Sequence, residues 1–181
     1  MKAWLKPIDK LGACKEAVEW GEQFETIDEA WSKCEHGEWM LWLLGKLAGS
    51  PKTESRRKLV LTACQCARLL LYRVPEGELR PLQAIETTER WARKEKGITL
   101  GMVKIAADAA AYAAEELATQ SFLYRYALYL ESELDAAYAA ADAADAASLG
   151  GYAAAYGVEA KRCADIVREN YPAPPVLWGK K

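Results

Sequence analysis

The sequence predicts an all-α chain: a compact array of six to eight helices, with Ala-rich helices late in the chain and an extended Pro-rich tail. Three observations predict it. Of 33 alanines, 23 lie between Ala106 and Ala164, and alanine is the strongest helix former. Apolar residues recur three and four positions apart, the period of one buried helix face. Glycine and proline fall mostly where those periodic stretches stop. The 181 residues read as one helical domain: Trp-rich helices over 1–97, Ala-rich helices over 98–170 and the tail over 171–181.

The elements follow in order. Ala13, Ala17, Trp20 and Phe24 share a face and predict a helix over Leu11–Phe24. Thr26 and Glu29 form a capping box, which starts a short helix running to Cys34. Glu35-His36-Gly37 breaks the chain. Glu38–Ala48 is a strongly apolar helix, with Trp39, Leu43 and Leu47 on one face beside Trp42; its two tryptophans read as core. A long helix is expected over Pro51–Val74, with Leu59, Ala63, Cys66 and Leu70 buried and Arg56, Arg57 and Arg68 on a wetter side. Pro81–Glu95 is a shorter helix carrying Leu82, Ile85 and Trp91, and Gly97 is its stop. Three Ala-rich helices follow, over Thr99–Leu117, Ser121–Ala147 and Gly151–Asn170. Small side chains let such helices approach closely. Pro172, Pro174 and Pro175 hold the tail extended, and Val176, Leu177 and Trp178 are expected to dock it.

Composition excludes several classes. The longest uncharged apolar run, Trp39–Gly45, is far short of the ~20 residues a membrane span needs. The first residues lack a signal peptide's apolar stretch, so a cytoplasmic setting is expected. The five cysteines are scattered and read as buried, reduced thiols. Charge is segregated. Residues 1–49 carry 6 basic and 9 acidic groups, 50–103 carry 11 and 6, and 104–165 carry 4 and 10. That is not the basic face of a nucleic-acid binder. Arg56, Arg57, Arg68 and Arg73 are expected to pair with the acidic later half inside the fold.

Catalytic constellations are hard to assemble. The single histidine, His36, sits in a turn, where an exposed or capping role is the plainer reading. Cys34 and His36 supply two metal ligands, but nothing completes a zinc site, and one histidine cannot build a di-iron bundle. No phosphate loop is present. Glu115 and Glu116 diverge on a helix, whereas Asp142 and Asp145 are neighbours. No enzyme, no metal and no cofactor is the resulting expectation.

The more informative pattern is a stripe. On the helix Ser121–Ala147, Tyr124, Glu131, Asp135, Tyr138, Asp142 and Asp145 share an arc of about 80° at 100° per residue. Leu123, Ala127, Leu130, Leu134, Ala137, Ala141 and Ala144 form the apolar row beside it. Tyr112, Tyr152 and Tyr156 lie in similar settings. Tyrosines supply contact area and carboxylates steer a basic protein partner. The same pattern also suits a solvated face that keeps an Ala-rich chain soluble.

Ala30-Trp31, Cys34, Gly37 and Trp39-Met40-Leu41-Trp42-Leu43, followed by an arginine-bearing helix, carry a resemblance. It continues through Glu89-Arg90-Trp91, the alanine tracts, and Cys163-Ala164-Asp165-Ile166-Val167-Arg168 with Tyr171-Pro172. The chain resembles the Ala-rich helical class of immunity proteins of bacterial toxin systems, immunity-protein-five-like. The resemblance implies a non-enzymatic inhibitor that neutralises a toxin by binding it, and brings no catalytic residue. Three alternatives remain at this point: a phage-encoded, anti-CRISPR-like inhibitor of a defence effector or nuclease, a small-molecule-binding bundle, and an oligomer built on Ala-rich faces.

Overall fold

The computed structural model describes residues 1–118 and 158–176. Among them the fold is all-α, with eight α-helices, one 3₁₀ turn and no strand. The helices are α1 (Lys6–Lys10), α2 (Lys15–Gly21), α3 (Ile27–Lys33), α4 (Gly37–Leu47), α5 (Glu54–Arg68), α6 (Arg80–Ala92), α7 (Leu100–Ala118) and α8 (Val158–Asn170). The 3₁₀ turn spans Leu71–Arg73. No helix among the described residues is long and apolar enough to cross a membrane. The expected helix Ser121–Ala147 lies outside the described residues, as does the start of the one expected over Gly151–Asn170.

The helix expected over Leu11–Phe24 is shorter, α2 alone, and α1 precedes it unpredicted. Gly12 adopts φ 89°, a conformation glycine takes without strain, and it separates α1 from α2. Pro7 is tolerated in the first turn of α1, where its missing N–H has no intrahelical partner. The capping box at α3 forms: Thr26 Oγ1 accepts from the Glu29 amide at 3.1 Å. The Glu29 carboxylate reaches one residue further back, to the Glu25 amide at 3.2 Å.

The long helix starts later than expected, at Glu54 rather than Pro51. Thr53 is its cap, accepting from the Arg56 amide and donating to the Ala48 carbonyl. Such a cap is worth about 1 kcal/mol. α5 also stops early, and the chain tightens into the 3₁₀ turn before Val74. α6 ends at Ala92, ahead of Gly97, because Lys94 itself takes a left-handed conformation at φ 62°.

α5 is the spine, with seven of its fifteen residues buried. Leu59 and Cys66 face one core with Trp31, Met40, Leu43 and Leu44 and with Cys163, Ala164 and Val167 of α8. Val60, Ala63, Cys64 and Ala67 face a second core with Ile85 and Trp91 of α6 and Val103 of α7. Small residues at 60, 63 and 67 let α6 come close. The expected buried row holds at Leu59, Ala63 and Cys66, while Leu70 is half-buried.

The arginines of α5 make bonds that the charge pattern did not predict. Arg56 donates to the Gly45 and Gly49 carbonyls at 2.9 and 3.0 Å, satisfying the end of α4. Arg57 donates to the Trp91 carbonyl at 2.6 Å and lies over the Trp91 ring at 4.6 Å. Arg68 makes a two-pronged pair with Glu89, at 2.8 and 3.1 Å. The bonds seen among the described residues thus tie all three to the first half of the chain, while most of the acidic later half lies outside the described residues. They serve backbone carbonyls and the buried Glu89 carboxylate.

α8 returns to the beginning of the fold. The Arg168 guanidinium donates to the Trp31 and Cys34 carbonyls and to Asp165, and so closes the end of α3. Trp31 Nε1 donates to the Tyr171 carbonyl at 2.9 Å. Residues 171–176 contain no helix, as expected. Val176, however, is 76% exposed. It does not dock, and Leu177 and Trp178 lie outside the described residues.

Candidate functional site

The predicted contact row of Tyr124, Glu131, Asp135, Tyr138, Asp142 and Asp145 lies outside the described residues, as do Tyr152 and Tyr156. Its neighbour in sequence, α7, is described. α7 buries Val103, Ala107, Ala110 and Ala113, the face turned to α6. On its other side it exposes Met102 (43%), Ile105 (70%) and Tyr112 (63%), with Ala109 half-buried between them. Positions 102, 105, 109 and 112 follow the three-and-four spacing of a single stripe. One helix therefore carries two apolar stripes, one used by the fold and one open. Exposed contiguous apolar surface of this kind marks an interaction site. Neither stripe was read from the sequence, because alanines on every face blur the period.

A second feature lies between α1, α2, α3 and α4. Five of the seven tryptophans line one apolar cleft of about 70 Å³: Trp4, Trp20, Trp31, Trp39 and Trp42. Trp31 is buried and the other four are half-buried. Trp20 packs on Trp39 with ring centres 5.8 Å apart. Trp39 and Trp42 thus pack against the core, as expected, while also walling a cleft. The density of tryptophan before residue 43 was the available signal.

The polar groups are engaged in architecture. His36 Nδ1 lies 2.9 Å from Glu38 Oε1, and the imidazole stacks on Trp39 with ring centres 3.8 Å apart. His36 stands at the N-cap of α4 without a side-chain cap bond. Glu38 Oε2 is buried without a hydrogen-bond partner. Cys34 donates to the His36 carbonyl at 3.5 Å, and burial pushes its thiol up to about 11. Burial pushes the Cys64 thiol up to about 12. The contact with Cys163, together with burial, raises the Cys66 thiol. Such thiols stay protonated and are poor nucleophiles and metal ligands. Cys14 departs from the expectation of burial and is exposed. Among the described residues no three His, Cys, Asp or Glu side chains are placed to hold a metal ion. Glu115 and Glu116 fall in the last turn of α7.

Among the described residues Glu89 is the buried carboxylate, 8% exposed. The Arg68 guanidinium holds it below the ordinary carboxylate range, with Arg93 assisting at 3.3 Å. Both arginines reach solvent on their far sides. The arrangement joins α5 to α6.

The chain matches no family model, no curated protein and no solved structure. Function therefore rests on the surfaces just described.

Proposed function

We propose that this chain is a non-enzymatic inhibitor that binds and neutralises a partner protein, as the immunity proteins of bacterial toxin systems do. The observation that carries the reading is the open stripe Met102, Ile105 and Tyr112 on α7. In sequence it leads into the acidic row from Tyr124 to Asp145. An apolar and aromatic patch beside carboxylates suits a basic protein surface: the rings provide buried area and the acids speed encounter. A bacterial toxin is the first candidate partner. A defence nuclease met by a phage-encoded inhibitor is the second, since an acidic row competes for a basic nucleic-acid groove.

Affinity capture from lysate of the source cell, read by mass spectrometry, tests this. One stoichiometric partner is expected. Ile105→Lys should weaken its binding at least tenfold, about 1.4 kcal/mol. Asp135→Lys combined with Asp142→Lys should slow association at low salt, with the deficit shrinking as salt screens it. Absence of a partner from both infected and uninfected cells counts against the reading.

A further inference from the structure

We propose that Cys66 of α5 and Cys163 of α8 form an oxidative modification site, a latent disulfide that fastens α8 to the spine of the fold. All five cysteines are free thiols, and Cys34, Cys64, Cys66 and Cys163 are buried. The surroundings of the buried four differ. Cys34 Sγ turns back on its own loop, to the His36 carbonyl. Cys64 lies in the second core, its Sγ 4.0 Å from the Ile85 carbonyl. Cys66 reaches across to another cysteine. Its Sγ donates to the Cys163 carbonyl at 3.7 Å, and the two side chains are in hydrogen-bonding contact. α4 crowds Cys163 as well, since a β-carbon on Gly37 would lie 2.6 Å from Cys163 Sγ. The two thiols thus meet in one packed core, with little freedom to part.

The oxidant is a small-molecule disulfide of the glutathione class. One protein thiol, deprotonated, attacks a sulfur of the small disulfide. The small S–S bond breaks, and one small thiol leaves with the proton. The second protein thiol then displaces the other small thiol from the mixed disulfide and gives up its own proton to it. Two protein thiols are oxidised, and one small disulfide is reduced to two thiols. Buried and protonated, neither protein thiol reacts while the cores are closed. Exchange runs in molecules that have opened. Closing then selects this pair, because folding brings together residues that are 97 positions apart. The preference is mutual: a fold that gathers two thiols favours their disulfide, and the disulfide favours the fold by restricting the opened chain.

The test equilibrates the full chain in glutathione buffers of graded oxidised-to-reduced ratio, approached from both the reduced and the oxidised protein. Free thiols are then alkylated and the chain is digested. Mass spectrometry is expected to find the Cys66 and Cys163 peptides joined and lighter by two hydrogens, with the other three cysteines alkylated. Half-oxidation should need a buffer at least about tenfold more reducing than the one that half-oxidises the same pair in denaturant. Urea below the unfolding transition should speed the exchange, because it raises the open population. Cys66→Ala and Cys163→Ala should each abolish the joined peptide, and Cys34→Ala should leave it. Should an alanine variant fail to fold, the buffer ratio read on the unsubstituted chain still decides. A folded pair that needs a buffer as oxidising as the denatured pair does, or more so, overturns the proposal, since the core then holds the thiols where a disulfide is strained. A different joined pair, no joined pair, or a rate indifferent to urea overturns it too.

Discussion

Gly37→Ala is expected to destabilise the protein by about 3 kcal/mol, the upper end of the overpacking range. A β-carbon at position 37 would lie 2.6 Å from Cys163 Sγ, 2.7 Å from Cys163 Cβ and 2.8 Å from the Ala164 backbone nitrogen. A flexible side chain can swing aside, but a backbone nitrogen cannot. α8 would have to move away from α4 and take its Arg168 bonds with it. At about 2–4 °C per kcal/mol for a chain of this size, the melting temperature should fall by about 6–12 °C. Gly45→Ala in the same helix is the control. Its β-carbon would meet nothing closer than 4.0 Å, so the gain in helix propensity, up to about 1 kcal/mol, should raise the melting temperature. Calorimetry on the pair reads opposite signs from one chemical change. Equal signs would mean that α4 and α8 do not approach this closely.

Glu89→Ala is the second large effect. Glu89 is buried and holds Arg68 by two bonds and Arg93 by one. Losing one partner of a buried pair costs about 3–5 kcal/mol. The cost here should be lower, about 2–3 kcal/mol, because both arginines remain free to turn to water. The pH dependence follows from the direction of the shift. The folded-state pKa of Glu89 lies below its ordinary value. Its stabilisation is therefore complete above the unfolded value, about pH 4–5, and is lost as pH falls through the lowered folded value. Glu89→Gln should remove that part of the acid limb in a chemical-denaturation series. An acid limb identical to that of the unsubstituted chain would mean that Glu89 is not the group titrating.

Local features were legible in the sequence and tertiary ones were not. The Thr26 cap, the break at Glu35-His36-Gly37 and the extents of α4 and α7 follow from residues within a turn or two of each other. α1 was missed because Pro7 and a single core-packed isoleucine give no period. The start of α5 was placed at Pro51 because proline favours a first turn, but Thr53 competed with better hydrogen bonds. The arginines were read through net charge, whereas their partners are carbonyls at helix ends and a carboxylate 21 positions away. Net charge carries no information about open helix termini. The cleft needed five tryptophans from four parts of the chain to converge, which no spacing rule encodes. The outer stripe of α7 could have been found by asking for a second period in the same helix.

α5 has one more consequence, and it concerns how the molecule comes apart. Its residues 59 and 66 belong to one core, and 60, 63, 64 and 67 to the other. Neither core can open without stripping a wall from its neighbour. The two therefore melt together as one cooperative unit, although they share little else. Fraying should begin at the short N-terminal helices, and the amides of the central turns of α5 should be the last to exchange with solvent, opening only when the whole chain does.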